Sequence, residues 1–273
     1  MPGFRPLGCL VVTVIAAALP PVAAEAGPSL AQAIKQADAK YLKLKDLDVK
    51  PATPNIEAGS GEEETEPASR EIALGPLKAA LSYRQEGTGD EASTIPVVTV
   101  FAGGRQIAAL EGEGTGMGDP PVSVQIAEID PGNSSPEVVV SFYTGGAHCC
   151  SDTKVISASK DGASWKTIEL GQFDGGPLLA SDVAGVGHPV FETRDNAFLY
   201  TFGCYACSTA PLKILTIEDG EVKTVSADPR FRPAHESYLK SMITEVPDEE
   251  VNGFLAGYVA EKILLGEAKA LGH

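Results

Sequence analysis

The side chains of this sequence best suited to chemistry are its cysteines and one histidine. "SFYTGGAHCCSD" (141–152) runs into two glycines, His148 and the adjacent Cys149 and Cys150, while "FLYTFGCYACST" (198–209) carries Cys204-x-x-Cys207. Three chemistries fit those types. A thiol nucleophile needs its base within reach, yet neighbours along a strand point to opposite faces, so His148 and Cys149 face apart and only Cys150 shares a side with His148. No orienting carboxylate or oxyanion hole is evident nearby, and nothing guarantees the lowered thiol pKa that catalysis requires. A metal centre finds the right ligand types in the four cysteines and His148, and Cys204-x-x-Cys207 has a zinc-like spacing, but adjacent cysteines converge on one ion awkwardly. Disulfides are the third reading, and the compartment of the protein decides its weight.

Residues 1–26 read as a signal peptide. Arg5 precedes an apolar run from Leu7 to Leu19, and both Val22-Ala23-Ala24 and Ala24-Glu25-Ala26 fit a small-x-small cleavage site, so the mature chain should begin near Glu25 or Gly27. The run is short for a transmembrane helix, and no membrane span is expected after cleavage. Cys9 leaves with the leader, and an even number of cysteines remains for an oxidising compartment, the periplasm or the extracellular space, where disulfides come first. With 21 basic against 37 acidic residues and a formal charge of −16, the chain lacks the positive face that nucleic acid or an anionic membrane surface needs. The expected partner is an unknown protein or envelope ligand, with a cationic one open.

Residues 27–47 carry Leu30, Ile34, Tyr41 and Leu42 near helical spacing behind Ser29, a plausible N-cap, and predict an N-terminal helix. Residues 48–71 mix proline, glycine and the acidic Glu62, Glu63, Glu64 and Glu66, and read as a linker. From 72 to 232 short β-branched and aromatic runs such as "PVVTVFA", "PEVVVSFYT" and "AFLYTF" alternate with turn residues, and Asp161-Gly162 and Asp219-Gly220 are hairpin signals. Residues 233–273 return to helical spacing. There Val251, Phe254, Leu255, Tyr258, Ile263 and Leu265 form an apolar stripe, and Gly253 and Gly257 allow close packing on the sheet. The fold class is therefore mainly β, with an N-terminal helix and C-terminal helices.

The two cysteine strings align without a gap: Tyr143 meets Tyr200, Thr144 meets Thr201, Gly146 meets Gly203, Cys150 meets Cys207 and Ser151 meets Ser208. Upstream, Pro136 answers Pro189 after a short gap. A period just above fifty that covers about four strands is the size of a propeller blade, which predicts blade-like antiparallel repeats in a partial or small β-propeller. If Cys150 and Cys207 hold equivalent places in separate blades, they lie beyond the roughly 7 Å Cα separation a disulfide tolerates. That favours local bridges, Cys204–Cys207 in one turn and Cys149–Cys150 in the other. The competing connectivity joins Cys149 to Cys204 and Cys150 to Cys207.

The loops before the two units, "EIDPGNSSPEVVV" from Glu128 and "DVAGVGHPVF" from Asp182, resemble repeats of the FG-GAP or VCBS type. The GGAHCC string is similar to one in secreted bacterial proteins of this sort. The resemblance covers about 110 residues. It implies an integrin-like β-propeller and, at the acidic loop positions, calcium. In the second loop Ala184, Val186 and Val190 stand where oxygen ligands belong, so only Glu128, Asp130, Asn133 and Glu137 of the first loop are expected to hold an ion, and Pro131 disturbs their register. No other cofactor is expected. The function these observations favour is an exported binding or interaction module of the bacterial envelope, leaning away from enzyme activity. The alternative is a periplasmic hydrolase with an unrecognised active site.

Overall fold

The computed structural model describes residues 28–58, 70–89, 92–114, 118–146, 149–185 and 187–267, with Cys149 described in its backbone alone. The expected signal peptide, the acidic run Glu62–Glu66, Val186, His148 and residues 268–273 lie outside this set.

The described chain is mainly β, with three antiparallel sheets and few helices. One sheet is the meander β3 (Glu71–Leu74), β4 (Leu77–Glu86), β5 (Ser93–Ala102) and β6 (Arg105–Glu111). A middle sheet runs through β7 (Val122–Ala127), β8 (Glu137–Tyr143), β9 (Cys149–Ala158) and β10 (Trp165–Asp174), and β2 (Asn55–Ala58) pairs with β7 at its edge. A third sheet runs through β11 (Ala180–Asp182), β12 (Val190–Arg194), β13 (Leu212–Glu218) and β14 (Glu221–Thr224), with β1 (Lys50–Pro51) pairing β11.

The sheets stack through alternating side chains. Val138, Val140 and Phe142 of β8 enter a core shared with Leu77, Val98 and Val100 of the β3–β6 sheet, whereas Val139, one residue out of phase, joins Phe191, Leu215 and Ile217 of the third sheet. The middle sheet is thus covered on both faces, which is why β7 and β8 are almost continuously apolar rather than alternating. A polar exception proves structural: buried Gln125 donates to Ala52 O (2.7 Å) and Ala180 O (3.0 Å) and accepts from Ala180 N (2.8 Å), tying β7 to the third sheet.

The outer face of the third sheet is covered by helices. Val190, Leu212 and Ile214 pack with Phe231 and with Ala234 of α2 (Arg232–Thr244). α2 in turn shares a core with α1 (Leu30–Ala37) and α3 (Val251–Leu264), built on Ile34, Tyr41, Leu239, Ile243 and Phe254. Ser29 caps α1 in a reciprocal box with Gln32: Ser29 Oγ accepts from Gln32 N, and Gln32 Oε1 accepts from Ser29 N. Asp161-Gly162 joins β9 to β10 and Asp219-Gly220 joins β13 to β14, and Asp219 and Gly220 both take positive φ (52° and 70°), as the twist of a tight hairpin requires.

Three expectations need correction. The linker predicted over 48–71 contains β1 and β2, because these short segments find backbone partners on two sheet edges that local composition does not reveal. "AFLYTF" is no strand: Asn196–Phe198 and Tyr205–Cys207 are 3-10 turns in a long loop between β12 and β13. Of the apolar stripe predicted for α3, Phe254 and Leu265 are buried and Leu255 and Tyr258 pack against the helical core, but Ile263 is 55% exposed.

Candidate functional site

The loop carrying the expected calcium ligands is held by its own carboxylates. Asp130 Oδ1 accepts from Gly132 N (2.8 Å) and Asp219 N (3.0 Å), and Oδ2 accepts from Gly220 N (2.6 Å), so the loop is clamped to the β13–β14 hairpin of the next sheet. Glu137 Oε2 accepts from Ile129 N and Asp130 N, and Oε1 accepts from Asn133 Nδ2 and Ser157 Oγ. Two donors on each oxygen use the carboxylate's lone pairs. Burial pushes the Glu137 carboxyl up from its ordinary value, and these four donors oppose that shift. Glu128, meanwhile, is exposed.

Of the residues expected to hold calcium, Asp130, Asn133 and Glu137 use their oxygens here as hydrogen-bond acceptors within the turn, and Glu128 stands apart from them on the surface. Gly132 completes that turn, because a Cβ there would stand 2.7 Å from Asp219 Oδ1. Asp130→Ala leaves three backbone N–H groups without their acceptor and should lower stability by about 3 kcal/mol. Urea titration reads this, and added calcium is expected to leave the midpoint of the parent protein unmoved.

The cysteine strings meet at a different corner. In the first, Thr144 Oγ1 donates to Cys150 O (2.9 Å) and accepts from Cys150 N (3.1 Å), fixing the turn into β9. In the second, Cys204 and Cys207 are joined to each other, with Cα atoms 5.0 Å apart. Cys150 is also disulfide-bonded, and the Cys204–Cys207 bridge rules out the cross pairing of Cys150 with Cys207. β8 and β12 hold the same position in their sheets, but the cysteines of the two strings diverge: Cys150 is the second residue of β9, and Cys207 ends a 3-10 turn before β13.

The loop 195–210 reaches back over β10, whose Asp174 is the register partner of Cys149. Tyr205 Oη donates to Asp174 Oδ2 (2.5 Å), and that carboxylate pushes the phenol up to about 12. Asn196 Nδ2 donates to Gln172 O, Ser208 Oγ donates to Cys204 O, and Tyr200 N donates to Ser208 Oγ. So anchored, the loop turns aromatic rings outward: Tyr200 is 63% and Phe202 46% exposed, Tyr200 flanks Tyr205 at 5.5 Å, and Phe202 flanks Phe198 at 5.7 Å. Beneath it lies a cleft of about 330 Å³ lined by Asp174, Arg194, Tyr205, Ser208, Thr209 and Tyr238. The Arg194 guanidinium sits 3.9 Å over the Tyr238 ring, whose phenol is pushed up by burial and donates to Ala210 O.

Two of the three non-glycine residues with positive φ among the described residues flank this corner, Tyr200 (φ 60°) and Glu250 (φ 51°). Held left-handed conformations of this kind concentrate at working sites. Glu250 lies against Cys207 Sγ and 3.7 Å from Cys204 Sγ, so both sulfurs face one carboxylate. The sequence marks the cysteines and the YT pair. It gives no sign of Asp174, Arg194, Tyr238 or Glu250, whose roles arise from long-range packing. The corner can seat an aromatic or cationic group, or act through its sulfurs.

No protein-family model matches the chain, and no solved structure matches it. Among curated proteins it is 40% identical over 201 residues to a probable thylakoid lumen protein, sll0997, of Synechocystis sp. (strain ATCC 27184 / PCC 6803 / Kazusa), a match covering 72% of this chain and 59% of that protein. It is 29% identical over 205 residues to an uncharacterized protein, y4bJ, of Sinorhizobium fredii (strain NBRC 101917 / NGR234), covering 72% of this chain and 31% of the other. The chain thus spans about three fifths and one third of the lengths of these two relatives.

Proposed function

We propose that the protein is an exported binding module of the bacterial envelope, and that it grips a cationic segment of an envelope protein with the stapled loop 195–210. The observation that carries this reading is the outward display of Tyr200 and Phe202 on a loop otherwise pinned by hydrogen bonds and a disulfide. Large aromatic rings exposed in a fixed geometry are the side chains that dominate protein interfaces, and pre-ordering the loop removes part of the entropy cost of binding.

Charge selects the partner's sign. Asp248, Glu249 and Glu250 are all exposed beside the loop, within a chain of formal charge −16, so a Lys- or Arg-rich segment is steered toward it. Export is supported by the leader pattern in residues 1–26 and by the lumenal designation of the Synechocystis relative. Within this reading the three stacked meanders are successive blades of a partial propeller, and the loops at Glu128 and Asp182 are degenerate FG-GAP-type turns that keep the shape of a calcium loop.

Replacing both rings, Tyr200→Ser with Phe202→Ser, should weaken capture of the partner from envelope extracts at least about tenfold, the effect of losing two aromatic anchors. Because both side chains are exposed, the thermal midpoint should stay where it is. Capture should also fall with rising salt. Undiminished, salt-insensitive capture by the double variant would overturn the proposal.

A further inference from the structure

We propose that Cys204–Cys207 is a redox-active disulfide that exchanges with an external dithiol, with Glu250 positioned to accept a hydrogen bond from the Cys207 thiol once the bridge opens. The inference does not depend on what the loop binds. It rests on a mismatch between the oxidised bridge and its surroundings. A disulfide has no proton to give, so a carboxylate held against its sulfurs gains nothing from them. A thiol does have one.

Glu250 is brought there at a cost, by a left-handed backbone (φ 51°, ψ 42°) at the start of α3, and its side chain makes no cap for that helix. The same corner provides for the second sulfur. Cys207 N donates to Cys204 Sγ (3.2 Å), the contact that stabilises a thiolate at Cys204. Both groups are thus better matched to the dithiol than to the bridge.

Access is also in place. Cys204 is exposed and Cys207 half-buried, and neither 3-10 turn of the loop contains a buried residue, so the bridge can open without disturbing the cores between the sheets. In the forward step a thiolate of the external dithiol attacks Cys204 Sγ. The Cys204–Cys207 bond breaks, and its electron pair goes to Cys207 Sγ, which takes a proton from water and donates it toward Glu250. The second thiol of the dithiol then loses its proton to water and attacks the mixed disulfide, releasing Cys204 as a thiolate beneath the Cys207 N–H. The dithiol ends as a disulfide and the protein as a dithiol, a two-electron exchange.

The test equilibrates the folded protein with graded ratios of reduced and oxidised dithiothreitol, then alkylates and digests it. Trypsin cuts after Arg194 and Lys213 and after Arg105 and Lys154, so peptide 195–213 reports this bridge apart from Cys149 and Cys150. The native protein should reduce at Cys204–Cys207 without losing its folded circular dichroism, and limited alkylation of the reduced form should favour Cys204 over Cys207. Glu250→Ala should shift the equilibrium toward the disulfide by about tenfold, and Glu250→Gln, which keeps a neutral acceptor, by less. A bridge that opens only when the chain unfolds, or an equilibrium identical in the parent and Glu250→Ala, would overturn the proposal. An Ala variant that fails to fold leaves the Gln variant and the alkylation order to decide it.

Discussion

Glu261→Ala should lower the stability of the folded chain by about 3 to 5 kcal/mol, the range for removing one partner of a buried hydrogen-bonded pair. Glu261 is fully buried in α3. Its Oε1 lies 2.5 Å from His235 Nδ1, and its Oε2 accepts from Leu212 N (2.9 Å), so one carboxylate joins α3, α2 and the first residue of β13. His235 Nε2 donates to Ser226 O at 2.7 Å, which leaves the contact at Nδ1 to a single proton between imidazole and carboxyl. Alanine leaves both His235 Nδ1 and the Leu212 N–H without a partner and adds a cavity. Glu261→Gln behaves differently: its carbonyl can serve Leu212 N while its amide donates to Nδ1, so the loss should be near 1 kcal/mol, an ordinary net hydrogen bond. Urea unfolding of the two variants separates these cases, and equal losses would mean that volume rather than hydrogen bonding holds the junction.

Gly257→Ala should also be destabilising, by more than about 2 kcal/mol, although the same change in an exposed helix interior would stabilise by roughly 1 kcal/mol. The sign is reversed by contact. An added Cβ at Gly257 would lie 2.0 Å from Thr209 O, and one at Gly253 would lie 2.0 Å from Cys207 O. Both obstacles are backbone, so relief requires α3 to withdraw from the segment 207–209 that leads into β13. Loop 195–210 should loosen with it, read as faster amide hydrogen exchange there than in β8. A Gly257→Ala protein that melts higher than the parent would show that the helix and loop do not meet as closely as described.

Much of the architecture is written in local pattern. Apolar runs place β5, β7 and β8, the Asp-Gly pairs place two hairpins, and Ser29 marks the start of α1. What local pattern cannot carry is pairing at a distance. β1 and β2 are strands only because β11 and β7 offer free edges, and Asp130 is a clamp only because the Asp219-Gly220 turn arrives beneath it. An acidic loop at calcium-like spacing and an acidic loop that caps its own backbone look alike in sequence, since both need oxygens near a turn. α3 shows the same limit: Phe254 and Leu265 of its apolar stripe are buried as its periodicity suggests, but the approach of Gly257 to Thr209 O and of Glu261 to His235 depends on elements distant in sequence. The cysteines were legible as a site, but Glu250, whose carboxylate faces both sulfurs, carries no signal beyond an acidic helix start.

The binding face itself is tested most directly by site-specific photo-cross-linking in the intact envelope. A photoreactive side chain at Tyr200 should form one discrete adduct, with the attached partner peptide rich in Lys and Arg, while the same side chain at Leu74, exposed on β3 of the far sheet, should form none. Adducts of equal yield at both positions, or none at Tyr200, would contradict the assignment of loop 195–210 as the face through which this protein works.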